Sequence, residues 1–367
     1  MRLAGFALVS AVAASAIALG GVAAAQSLAP AKQVEIERLI SEEMSRQGIP
    51  AVSVAVGVGG ALQWSAGFGL ADVENFVPAK ASTVYRLGSI SKPITAVAVM
   101  QLAETGKIDL DAPVQRYVPS FPAKPWPITV RRLLGHLGGI RHYKNPAEIN
   151  STRHFEDMLS PLRAFRDDGL AAEPGTKYLY STFGYVLLGA AVEAASATRF
   201  MDYLRDRIFR PAGMDHIRDD HVFAIIPNRA RGYVRVKGEL RNCALADTSN
   251  KIAGGGMAST AGDLIQFALA LERDLLLKPA TRDQMFQRQK LDNGRPTAYG
   301  LGWSILTSRR VVFHTGGQQG VSTILKIALG ERVSVALMCN LEKADLRPLS
   351  DRVLRVLTGD PDGAIRP

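Results

Sequence analysis

Gly88-Ser89-Ile90-Ser91-Lys92-Pro93 stands directly before an apolar run, residues 94–102, whose spacing predicts a helix. If that helix starts here, Ser89 and Lys92 lie three residues apart on one face, so the amine can reach the hydroxyl. A serine is a weak nucleophile until a base takes its proton. A lysine whose pKa is lowered by burial or by a nearby positive charge can be that base, and amides at a helix start can help to hold a developing oxyanion. Alone, an S-x-x-K equally suits an N-cap serine followed by a solvated lysine.

Two segments further along support the chemical reading. Glu173-Pro174-Gly175 leads into Tyr178-Leu179-Tyr180-Ser181-Thr182-Phe183-Gly184-Tyr185, where a tyrosine at the turn before a helix can share a proton with a serine and lysine pair. Phe313-His314-Thr315-Gly316-Gly317 ends a strand-like run, where a side chain can meet a substrate carboxylate and a glycine amide can point into a cleft. Taken singly, Tyr180 could be a core aromatic and His314 a satisfied strand-end histidine.

Outward from these segments, residues 31–47 are helical in period and end at Gly48-Ile49-Pro50. Val52, Val54 and Val56 alternate, Gly59-Gly60 supplies a turn, and residues 62–68 return, which predicts a β-hairpin. The period of two recurs at residues 302–306, 311–314, 322–328 and 333–339, before a last helix near 346–357. Between the two groups of strands, helical periodicity marks 94–102, 185–195, 201–208 and 263–271. The expected class is α+β: terminal strands pair in one antiparallel sheet flanked by helices, with a mostly helical lobe to one side. The expected division is an α/β lobe of about 31–88 and 253–367 and a helical lobe of about 89–252, with a cleft at their junction.

The 367 residues are 47% hydrophobic and 21% charged, which excludes a disordered or low-complexity chain. Lys and Arg outnumber Asp and Glu by 44 to 34, for a net charge of +10. The basic residues are scattered, the longest pairs being Arg131-Arg132 and Arg309-Arg310, so no nucleic-acid stripe is expected and the charge suits anionic envelope surroundings. Residues 1–25 carry Arg2 as their one charge, an apolar run and a small-residue site at Ala23-Ala24-Ala25. They read as a cleaved export signal, with a retained anchor as the alternative; periplasmic or secreted localisation follows, without a membrane span after cleavage. The two cysteines, Cys243 and Cys339, read as packing residues rather than as a disulfide or a nucleophile. The six histidines do not have zinc spacing, and Gly254-Gly255-Gly256 has neither the lysine nor the strand context of a phosphate loop, so neither metal nor cofactor is implied.

The ordered motifs resemble those of the penicillin-recognising serine hydrolases, the β-lactamase/transpeptidase-like group with class C β-lactamases, DD-peptidases, esterases and LACTB-like proteins. Gly67-Phe68-Gly69, Leu133-Leu134-Gly135-His136-Leu137-Gly138-Gly139, Phe209-Arg210-Pro211-Ala212-Gly213-Met214 and Tyr299-Gly300-Leu301-Gly302-Trp303 extend the resemblance from about Val34 to Thr358. It implies Ser89 as the acylated nucleophile, Lys92 as its activating partner and Tyr180 as a proton carrier. Thr182, His314 and Thr315 are implied at the substrate, and the Ser89 and Gly317 amides as the oxyanion hole. Tyr143-Lys144-Asn145 matches the tyrosine motif literally but lies in the loop after His136; Tyr180 has the family context. The family usually has Asn where this chain has Thr182 and Lys where it has His314. A hydroxyl lacks the paired donor and acceptor of an amide, and a largely neutral imidazole holds a carboxylate less firmly than Lys. Peptide substrates of the D-amino acid type, including cell-wall peptides, or ester substrates are therefore expected ahead of β-lactams. A β-lactamase or DD-carboxypeptidase, or a weakly catalytic, filament-forming scaffold as in the LACTB-like branch, are the alternatives.

Overall fold

A computed structural model describes residues 27–306 and 310–359; the expected export signal lies outside these. Strand β1 (Ala51–Val58) turns at Gly59 and Gly60, with φ of 59° and 86°, into β2 (Ala61–Asp72). Two consecutive positive φ values are what a tight hairpin turn requires, and glycine reaches them without a Cβ clash. Strand β3 (Val77–Pro78) extends this edge. The distal strands are β4 (Ser304–Leu306), β5 (Val311–Gln318), β6 (Val321–Ala328) and β7 (Val333–Cys339). They join in one antiparallel sheet of order β3-β2-β1-β7-β6-β5-β4. The seam between the two ends of the chain is β1 against β7, from Val52 opposite Cys339 to Val58 opposite Val333. The expected α+β class and terminal-strand pairing are observed.

Helices α1 (Pro30–Gln47), α2 (Ser91–Glu104), α3 (Thr182–Ser196), α4 (Ala261–Glu272) and α5 (Arg347–Thr358) complete the frame. One face of the sheet buries Val52, Val54 and Val56 with Ile36 and Ile40 of α1 and Leu349 and Val353 of α5. Each such aliphatic side chain contributes roughly 1.5–3 kcal/mol by leaving water. Ala55, of opposite parity on β1, joins the second core with α2, α3 and α4. In α2 every residue from Ser91 to Met100 is buried, so this helix runs through the interior and not along a surface. Its N-terminal end is therefore held by packing on all sides.

Three local features differ from the sequence reading. Strand β5 continues past His314 to Gln318, through both glycines. The helix expected at 201–208 is Phe200–Leu204 followed by a wide turn at Arg205–Phe209. Pro211 has no N–H to offer the Arg207 carbonyl, which instead accepts from Gln101 Nε2 at 3.0 Å. The middle of the chain also contains a hairpin, Tyr233–Val236 with Glu239–Asn242, which its turn residues Lys237-Gly238 allow. Both cysteines are free, and Cys339 is buried in the sheet.

Candidate active site

Ser89 sits in a single 3-10 turn, Gly88–Ile90, at the mouth of α2 and is half-buried between fully buried neighbours. Gly88 has φ of 53°, and a Cβ there would stand 2.8 Å from the Gly317 nitrogen. Only a residue without a side chain allows the turn and β5 to approach so closely. A Cβ on Gly316 would likewise lie 2.0 Å from the Leu87 carbonyl oxygen. Gly88 and Gly316 thus seat Ser89 beside the strand. Because β4 pairs only with Val311, Val312 and Phe313, it leaves the edge of β5 from His314 onward uncovered by that neighbour.

Lys92 is fully buried, and its Nζ has three partners: Ser89 Oγ at 3.0 Å, Thr182 Oγ1 at 3.2 Å and the Gly254 carbonyl at 2.6 Å. Burial, followed by the Lys251 charge, holds its pKa well below the usual lysine value. In the neutral form that this favours, two N–H bonds can serve Gly254 and Thr182 while the lone pair accepts from the Ser89 hydroxyl. The glycine run has a packing role here: a Cβ on Gly254 would be 2.6 Å from Thr182 Cγ2, so its carbonyl reaches the amine only because no side chain intervenes.

The Tyr180 ring lies 4.8 Å from Lys92 Nζ, and its hydroxyl neighbours Ser89; burial raises its pKa, against the opposing pull of that serine. Ser181 caps α3 by accepting the Gly184 N–H, which places Thr182 in the first turn facing Lys92. The literal alternative, Tyr143, forms another wall of the cleft, with its hydroxyl near Thr182, while Asn145 caps the short helix Pro146–Ile149. Thr315 and Gly317 are exposed on β5 and share with Ser89, Tyr143 and Thr182 a cleft of about 510 Å³.

His314 differs from expectation. It is 3% exposed, with Nε2 2.9 Å from the Tyr299 hydroxyl and Nδ1 2.7 Å from the Thr315 carbonyl. That carbonyl can only accept, so Nδ1 carries the proton and Nε2 accepts from Tyr299. Burial, then the Lys92 charge, lowers its pKa to about 3. A neutral, internally bonded imidazole is no cation for a substrate carboxylate. Sequence reasoning gave no role to Lys251, Tyr299, His136 or His142. His136 and Tyr299 did lie in segments quoted as family landmarks, the one signal that could have found them.

A family model described as Beta-lactamase matches residues 36–359. The chain is similar to the serine beta-lactamase-like protein LACTB, mitochondrial, of Homo sapiens, at 31% identity over 86% of this chain and 78% of that protein. It is similar at 30% identity to a penicillin-binding protein of Bacillus subtilis, over 79% of this chain and 68% of the other. Among solved structures, the octameric penicillin-binding protein homologue from Pyrococcus abyssi is similar at 25% identity with a TM-score of 0.77, covering 89% of this chain and 77% of that one.

Proposed function

The chain belongs to the beta-lactamase family, and from that membership we propose a serine acyl hydrolase acting on peptide or ester bonds through an acyl-enzyme on Ser89. The observation that carries the reading is the Lys92 amine, buried and 3.0 Å from Ser89 Oγ with its other partners accounted for. In acylation, Ser89 Oγ bonds to the acyl carbon while its proton passes to Lys92. The carbonyl oxygen gains negative charge and accepts from the N–H groups of Ser89 and Gly317. The bond to the leaving nitrogen or oxygen breaks as Lys92 and Tyr180 return the proton to it. Water then attacks the ester, releasing the acid and restoring the Ser89 hydroxyl.

The free edge of β5 suits an extended peptide, which would take main-chain hydrogen bonds beside Thr315. Neutral His314 favours substrates without a carboxylate at that end, and disfavours β-lactams and C-terminal D-amino acids. Penicillin-binding proteins among the relatives support a peptide-like acyl donor. A second reading, a scaffold with little turnover, draws on the same absent cation. It predicts ligand binding or assembly indifferent to Ser89→Ala. We also propose export: residues 1–25 have the apolar core and small-residue site of a secretory leader, unlike an arginine-rich transit peptide.

Intact-mass labelling with a fluorophosphonate tests the main reading. Wild type should gain one adduct and Ser89→Ala none; equal labelling of both overturns it. N-terminal sequencing of the recovered mature protein tests export, with Gln26 expected first.

A further inference from the structure

Residues 136–142 and 179–182 run together behind the lysine, with two imidazoles acting as acceptors where a sheet would use carbonyls. The Leu179 N–H donates to the His136 carbonyl at 2.9 Å, and the Ser181 N–H donates to His136 Nδ1 at 3.1 Å. The Ser181 hydroxyl donates to the Arg141 carbonyl at 2.7 Å, and the Thr182 N–H to His142 Nδ1 at 3.2 Å. One residue, His136, thereby holds the chain on both sides of Tyr180. Its ring also packs 4.3 Å from the Tyr180 ring, centre to centre.

His136 occupies this place at a double cost. Its backbone is left-handed, with φ of 58°, and its side chain is almost wholly buried. An imidazole accepting at Nδ1 carries its proton on Nε2, and among the described residues that buried N–H has no hydrogen-bond partner. It lies instead among the rings of Tyr178, Tyr180, Tyr185 and Tyr299. An apolar ring would avoid the orphaned donor. What only the imidazole supplies is the Nδ1 acceptor for Ser181.

We propose that His136 is the positioning residue for Tyr180, its carbonyl and Nδ1 fixing the main chain on either side and its ring fixing the phenol over Lys92. This rests on the reading of Tyr180 as the proton carrier. The clamp requires a neutral imidazole, which its surroundings favour: burial first, then the Lys92 charge, hold its pKa well below the usual histidine value.

The test uses the full chain and the fluorophosphonate, following the maximal labelling rate and the half-saturating reagent concentration. H136N keeps an acceptor where Nδ1 stands, and asparagine tolerates positive φ; H136L has no acceptor. H136L should label about 100-fold more slowly at saturation, the loss expected of a misplaced proton carrier, with half-saturation unchanged, and H136N should recover most of the rate. In H136L/Y180F the rate should equal that of Y180F. Equal losses in H136N and H136L, or losses that multiply in the double variant, overturn the proposal. If Y180F labels at the wild-type rate, the Tyr180 reading fails first and takes the proposal with it. Should H136L not fold, imidazole 15N shifts of the wild-type protein decide: a proton on Nε2 alone is expected, and a proton on Nδ1 overturns the clamp.

Discussion

Lys92 Nζ stands 3.0 Å from Ser89 Oγ on the first turn of a helix that is buried on every side. Helix spacing brings the two residues to one face, and burial makes the amine a base. The proposed acyl transfer depends on both, so each leaves a measurable signature.

The pH dependence of Ser89 acylation reports the amine. Lysine is charged below its pKa and basic above it, so the rate should rise with pH through a single limb centred well below 10.5. Lys92→Met should lose that limb and about 100-fold or more in rate. The same shift acts on stability. The folded state resists a proton that the unfolded chain binds normally, so the penalty is complete below the folded pKa and vanishes as pH rises to the unfolded value of about 10.4. Denaturant melts should therefore show Lys92→Met gaining stability relative to wild type as pH falls through that window.

His314→Lys would place an ammonium where a neutral ring is bonded to Tyr299 and Thr315. The expected result is destabilisation of about 3 kcal/mol or more in urea melts, from a buried charge without a partner. Recovery of carboxylate binding with unchanged stability would contradict this placement. Since His314 titrates near 3, wild-type ligand affinity should show no His314-dependent change between pH 5 and 8.

Thr182→Asn restores a paired donor and acceptor at the start of α3, beside the Lys92 amine. Turnover of a chromogenic cephalosporin should rise above the wild-type level if the hydroxyl is what limits β-lactam handling. An unchanged rate assigns that limit to the strand side, where His314 is neutral.

Asp220 is buried and accepts from Arg86 Nε at 2.7 Å and from the Arg229 guanidinium. Arg86, three residues before Ser89, also donates to the Gln319 and Ala246 carbonyls. Asp220→Ala leaves both guanidiniums without their carboxylate and should lower the unfolding free energy by about 3 kcal/mol, read from urea titration.

The frame of this protein was legible because its signals are local. Gly59-Gly60 between alternating valines predicts its hairpin, and the 3.6-residue period predicts α1, α2 and α5. The length of β5 was hidden, since glycines ordinarily argue against a strand; here Gly316 serves the approach of Leu87. The wide turn at Arg205–Phe209 depends on a side chain from α2 reaching the Arg207 carbonyl, a partner about a hundred residues away in sequence.

Of the site, residue order gave the Ser89 and Lys92 spacing and singled out the Tyr180 turn and the His314 strand, because short spacings and turn chemistry are written along the chain; Thr182 came only with the family resemblance. Tertiary structure decided the rest. It turned Lys92 toward neutrality, made His314 an internal hydrogen-bonding residue and bracketed Tyr180 with His136. Charge state follows from burial and from which groups face one another across the fold, and those distances have no counterpart in sequence separation.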